Sequence, residues 1–182
     1  MKIPLNKVRA MIKYFAQNTD EELLGKVKLM KLFYFSDFTH TKHHGQPITF
    51  DYYIKLEHGP IPSKIKNLVD EAEEDPETSF LSDLMSIEKQ DNCYLHKIVA
   101  KKPFTEEDAK LFSKSELDVL RNVCKKFYNS NTKAIETASH QDGPWEQVEF
   151  LGEIPYALVF NGDDEESKSK RDIVKFLSKV TN

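Results

Sequence analysis

The sequence is poor in the residues that most often announce chemistry. Its 182 residues include two cysteines, Cys93 and Cys124. Two lone thiols build neither a disulfide framework nor a thiolate metal cage. Six glycines leave no GxxxxGK[ST] and no GxGxxG, so the loops that cradle nucleotide phosphates are missing. No apolar run approaches the ~20 residues of a membrane span, and the N-terminus lacks the apolar core of a signal peptide. What is present is 39% hydrophobic, 31% charged and 11% aromatic, with twelve Phe, seven Tyr and a single Trp. At this length one core is enough to bury ~70% of the unfolded chain's surface. The expectation is one soluble, cytoplasmic domain without a membrane partner.

A net charge of −4 argues against a general nucleic-acid binder. It hides an asymmetry. Residues 1–60 carry nine Lys/Arg and six Asp/Glu, a balance of +3; residues 61–182 carry seventeen and twenty-four, a balance of −7. The basic third either faces an anionic partner or solvates helix faces, the more common use of Lys.

Periodicity predicts a helix from Pro4 to about Gln17, with Val8, Met11, Ile12 and Phe15 on its buried face. A second helix, about Val27 to His43, is apolar most of the way round and therefore central. Lys28, Lys31, Thr39 and Lys42 form its polar stripe, and Gly45 and Pro47 stop it. Ile48–Leu56 reads as an extended segment, Gly59–Pro62 as a stiff turn and Ser63–Glu74 as a short helix. Leu84–Glu88 and Tyr94–Lys101, joined by Gln90-Asp91-Asn92, read as a β-hairpin. Thr105 with Asp108 and Ser113 with Glu116 are capping boxes, the second launching Leu117, Leu120, Val123, Cys124 and Phe127. Then come a short helix at Thr132–Ser139, the Gly143-Pro144 break, a strand-like Tyr156–Phe160, the acidic loop Asp163–Glu166 and a last amphipathic helix, Ser169–Val180, through Ile173, Val174, Phe176 and Leu177. The fold class is mainly α: a compact single-domain helical fold with a small β-hairpin or short sheet.

Few residues point to catalysis. Asp37, His40 and His44 share a helix face and could bind Zn²⁺ or Fe²⁺, but they lack the central Glu of HExxH and sit where the helix dipole already favours His. The competing reading has Asp37 bonded to nearby backbone and the histidines largely exposed. Cys93 falls in the hairpin and Cys124 on an apolar helix face, where small buried thiols are common. Glu73/Glu74 and Asp163/Asp164 read as solvated loop charge. The sequence supports no enzyme, no metal and no cofactor. Two turn clusters remain: His58-Gly59-Pro60 and Ser139–Trp145. They are turn chemistry with Trp145 as a core plug, or a rigid groove with an aromatic anchor for a partner protein.

Those turns also belong to an ordered pattern. The run Lys28–Asp37, then Gly45–Thr49, Tyr53 and Gly59–Pro62, resembles the first half of the Panacea domain of SocA-like antitoxins. Leu111-Phe112-Ser113 with Glu116, Leu117, Leu120 and Val123, then Ser139-His140 and Pro144-Trp145, resembles the second half. The similarity spans roughly residues 5–150, which places a Panacea domain over 1–150 and a C-terminal extension, with a terminal helix packed on the same domain, over 151–182. The resemblance implies a mostly helical, non-enzymatic protein that neutralises a toxin encoded beside it, in bacteria and their prophages, by direct binding. Some members are adaptors that hand the toxin to a cellular protease. The family's signature positions fall on Lys31, Tyr34, Asp37, Gly59, Pro60, His140, Pro144 and Trp145. Ser139 stands where the family usually has Thr, keeping a hydroxyl for the local backbone. No helix-turn-helix domain is read ahead of the match, so transcriptional control is not expected.

Three functions follow from these features. The first is a toxin-binding antitoxin. The second is a winged-helix-like DNA regulator whose wing would be the hairpin with Lys97, Lys101 and Lys102. The third is a metal-dependent hydrolase built on Asp37, His40 and His44.

Overall fold

The computed structural model describes residues 3–89 and 96–180. Its α-helices are α1 (Leu5–Asn18), α2 (Lys26–His44), α3 (Ser63–Glu74), α4 (Glu106–Ala109), α5 (Lys114–Phe127), α6 (Thr132–His140), α7 (Gly143–Glu146) and α8 (Glu165–Val180). Strands β1 (Tyr53–Leu56), β2 (Gly59–Pro62) and β5 (Glu153–Ile154) form an antiparallel sheet in the order β2-β1-β5. β3 (Met85–Lys89) and β4 (His96–Ala100) form a separate antiparallel pair. The fold is mainly α, as the periodicities predict. The link between β3 and β4, which includes Cys93 and the Gln90-Asp91-Asn92 turn, lies outside the described residues.

The central helix is α2, as its all-round apolar surface requires. Leu29, Leu32, Phe33 and Tyr34 are fully buried, and α5, α6 and β2 pack around it. Phe35 stacks on Phe127 of α5 with ring centroids 4.5 Å apart, and Phe15 of α1 meets Phe33 edge-on at 5.1 Å. Gly45 closes α2 in the left-handed conformation, φ +77°. Both predicted capping boxes form, with Thr105 and Ser113 each accepting from the N3 amide.

The structure corrects several expectations. Lys28 and Lys31 do not form a polar stripe; both are fully buried, because a helix packed on all sides leaves no solvent-facing stripe along its middle. Their amines reach main-chain carbonyls instead, Lys28 Nζ donating to Tyr128 O and Lys31 Nζ to Pro60 O, each at 2.9 Å. Gly59–Pro62 is a strand, with the turn at Glu57-His58, because the edge of a sheet tolerates prolines that lack an N–H. The strand in Ile48–Leu56 is confined to Tyr53–Leu56. Residues 48–52 instead wrap two buried carboxylates: Asp37 accepts from Ile48 N and Thr49 N, and Asp51 from Ile65 N, each at 2.8 Å.

Tyr156–Val159 is a 3₁₀ turn, and the strand precedes it at Glu153–Ile154. Pro155 cannot donate to a ladder, so pairing with β1 ends there. α8 begins at Glu165, within the stretch read as a loop. Asp164 caps it, accepting from Ser167 N at 2.9 Å. Of the apolar face predicted for α8, Val174 is buried, whereas Ile173 and Phe176 are exposed.

The charge asymmetry is resolved inside the molecule. Lys7 pairs with Glu116 at 2.6 Å, Arg9 with Asp83 at 2.8 Å, Lys13 with Asp108, and Lys26 with Asp70 and Glu73. The basic N-terminal third therefore faces the acidic remainder across helix contacts.

Candidate functional site

Three polar residues of the family pattern follow one line of α2: Lys31, Tyr34 and Asp37, spaced by three. Each ties α2 to a different segment. Lys31 donates to Pro60 O on β2. The Tyr34 hydroxyl donates to the Asp142 carboxylate ahead of α7. Asp37 accepts from the Ile48 and Thr49 amides, the Thr49 hydroxyl and the Tyr53 hydroxyl, the last at 2.8 Å, and Tyr156 O–H approaches it at 3.3 Å.

Burial dominates the electrostatics of this line. It pushes the Lys31 ammonium down to about 7, a shift that the Glu136 carboxylate opposes. It raises Asp37 to about 6, while the hydrogen bonds from Thr49, Tyr53 and Ile48 pull it back. It raises Tyr34, and the Asp142 carboxylate adds to the rise. Tyr53 and Tyr156 are pushed up by the same burial, with Asp37 contributing.

Gly59 has φ +95°, and a Cβ there would lie 2.5 Å from Ser139 Oγ and 2.9 Å from Lys31 Cε. The position therefore demands glycine for its conformation and for space. Ser139 Oγ donates to Glu136 O at 2.7 Å, and Glu136 faces His58 at 3.1 Å. Lys31, Gly59, Pro60 and Ser139 thus form one buried joint between α2, β2 and α6. Pro144, also buried, sits in the first turn of α7.

Beside this joint lies a half-buried stack. His140 lies on Trp145 with centroids 4.2 Å apart and planes 15° from parallel, and Lys55 Nζ sits 4.0 Å from the indole centroid. Among the described residues His140 Nε2 and Trp145 Nε1 are enclosed without hydrogen-bond partners. Lys55 was missed in the sequence because nothing local links a strand lysine to an indole ninety residues away. Asp142 lay within the Ser139–Trp145 run, but its Tyr34 partner is on another helix.

The other candidates are placed apart. His40 and His44 lie ring against ring with centroids 4.7 Å apart, but Asp37 is turned to other partners and does not join them. Asp37 is wrapped by donors, and His40 is 1% exposed, contrary to the expected exposure, with Nδ1 on Gln46 O at 2.6 Å and Nε2 on Ser115 Oγ at 3.1 Å. No group of three or more His, Cys, Asp or Glu among the described residues is arranged to hold a metal ion. Burial pushes the Cys124 thiol up to about 12, which makes it a poor nucleophile. The wing lysines are engaged internally: Lys97 with Glu22 and Lys102 with Asp83, each at 2.6 Å, and Lys101 on Ser82 O at 2.7 Å. No helix among the described residues is long and apolar enough to cross a membrane.

Fold and site together define a helical domain whose buried polar residues Lys31, Tyr34 and Asp37 join elements, with a lysine-capped indole–imidazole stack at one edge. A family model described as antitoxin SocA-like, Panacea domain, matches residues 29–146. The chain belongs to that SocA-like Panacea family. No curated protein and no solved structure matches it.

Proposed function

We propose that this chain is the antitoxin of a bacterial or prophage toxin–antitoxin pair and neutralises its cognate toxin, encoded nearby, by direct protein–protein binding in the cytoplasm. Family membership over residues 29–146 is the observation that carries this reading. The chemistry of the site is compatible with it. Six of the eight signature residues (Lys31, Tyr34, Asp37, Gly59, Pro60 and Pro144) are buried and lock elements together, whereas His140 and Trp145 retain exposed surface. Two enclosed ring nitrogens without partners are unusual in a cluster that serves folding alone. We place the toxin contact on the Lys55–Trp145–His140 edge, where an aromatic anchor beside a cation suits an interface hot spot. We read residues 151–180 as part of the same domain, a reading supported by β5 pairing with β1 and by Tyr156 O–H donating to Asp51 O at 2.6 Å.

Co-expression with the neighbouring gene's product should relieve growth arrest, and the two proteins should co-purify. A neighbour that is harmless, or that forms no complex, overturns the reading. Trp145→Ala removes the stack and weakens folding by about 1–3 kcal/mol for a half-buried aromatic. Lys55→Gln keeps the stack. Both should lower toxin affinity, and Lys55→Gln should do so with a smaller drop in melting temperature than Trp145→Ala, since it loses only the cation–π contact.

A further inference from the structure

The internal pairing of charge passes over one stretch of the chain. Between residues 134 and 167 there is no lysine or arginine, and there are nine Asp/Glu. The carboxylates that meet the cations of α1 and α2 (Asp70, Glu73, Asp83, Asp108 and Glu116) all lie before it. Glu146, Glu149 and Glu153, in the middle of the stretch, are exposed and make no side-chain hydrogen bond or ion pair among the described residues.

The same stretch carries an exposed apolar pair. Phe150 and Leu151, neighbours at the turn between α7 and β5, are 61% and 64% exposed. The turn is firmly held. Gly152 N donates to Glu149 O, Leu151 N to Lys55 O, and Lys55 N to Gly152 O, each at 2.9 Å. Leu151 has φ +65°, the left-handed conformation that bulky side chains rarely adopt. Burial of the side chain would offset that strain, but here it is left in water. Folding alone gives no reason for a leucine at this position.

Lys55 ties the turn to the aromatic edge. Its main chain holds Leu151 and Gly152, while its Nζ lies 4.0 Å from the Trp145 indole centroid. Turn and stack are therefore parts of one surface, joined through a single β1 residue. Lys55 pairs with the indole face and, among the described residues, with none of the three glutamates. Carboxylates without counter-charges beside an apolar projection select what can cover it. A neutral or acidic partner would desolvate them unpaired, whereas a basic partner neutralises them and speeds encounter.

We propose that the Phe150–Leu151 turn is an anchor of the toxin contact and enters an apolar pocket of the toxin whose rim is basic, with Glu146, Glu149 and Glu153 meeting the rim cations. The proposal rests on the antitoxin reading above and adds to it the chemistry of the toxin's face. A turn already held by three main-chain hydrogen bonds suits the role, since little order remains to be imposed on binding.

Surface plasmon resonance with the purified product of the neighbouring gene, over a series of salt concentrations, tests it. Wild-type affinity should fall steadily as salt screens the glutamates. Leu151→Asn keeps the left-handed turn, which asparagine tolerates, and removes the apolar anchor. Its affinity should fall roughly tenfold or more, and Phe150→Ser should act in the same direction. Neither change should lower the melting temperature of the free chain, because both side chains face water. Replacing Glu146, Glu149 and Glu153 together by Gln should slow association roughly tenfold and flatten the salt dependence. A complex that keeps its affinity in Leu151→Asn and Phe150→Ser overturns the proposal, as does a salt dependence that survives the triple replacement; in both cases the antitoxin reading stands. A lower melting temperature in both single variants assigns the pair to folding and overturns the anchor role. A neighbouring product that forms no complex at all overturns the antitoxin reading and this proposal together.

Discussion

Lys31 has a charged head group enclosed by α2, β2 and α6 and one carbonyl, Pro60 O, as its hydrogen-bond acceptor. Burial lowers it from its ordinary 10.5 to about 7, so the folded chain binds this proton less tightly than the unfolded chain. Between those two values the unfolded state carries more protons, and stability must rise with pH through this residue. Urea melts from about pH 7 upward should show wild type gaining on the order of 1–3 kcal/mol relative to Lys31→Met. A difference between the two proteins that stays flat with pH would contradict this account. Asp37 has the opposite sign. Held at about 6 against an ordinary 3.8, it adds stability as pH falls through that window, while its five donors hold the 48–53 segment in place.

At the scale of elements, the joint between α2, β2 and α6 depends on Gly59. A methyl group there meets Ser139 Oγ and Lys31 Cε at distances no Cβ tolerates, in a backbone conformation that disfavours any side chain. Gly59→Ala should cost about 2–4 kcal/mol, adding strain to overpacking, and a lowered urea midpoint with unchanged slope would measure it. The need for glycine here was partly legible, since Gly59-Pro60 stood out in the sequence. Its partners were not. Ser139 is eighty residues away, and nothing local relates a serine on α6 to a strand glycine. The same limit explains the misread Tyr156–Phe160. Its aromatic and β-branched residues suit a strand, but Pro155 ends the ladder and Tyr156 turns its hydroxyl to Asp51 O.

At the scale of the whole molecule, cations of the N-terminal third meet carboxylates from four later elements or loops. Glu73 has the densest set: Lys26, His96 at 2.5 Å and Lys89 at 3.3 Å. Burial pushes Glu73 up, but the hydrogen bonds from Lys26, His96 and Lys89 outweigh it and hold the group at about 2. A depressed carboxylate stabilises the fold above its ordinary 4.5 and loses that contribution as pH falls towards 2. Acid unfolding should therefore steepen over this window in wild type and flatten in Glu73→Gln, whose melting temperature at neutral pH should also be lower. An identical acid profile for the two proteins would show that the cluster contributes nothing.

By itself the sequence determined the helical class, most helix starts and stops, the centrality of α2 and the family. These follow from local causes: apolar periodicity, capping boxes, glycine and proline at breaks, and short motifs in a fixed order. Only the tertiary structure decided what the polar residues do. A lysine on a helix reads as solvent-facing until its neighbours on every side are known, and Lys31 is buried because β2 and α6 close over it. A charge imbalance between two stretches reads as a surface until the fold sets one against the other, as it does here from Lys7 to Lys26. Burial and pairing depend on distances between residues far apart in the chain, and those distances exist only after folding.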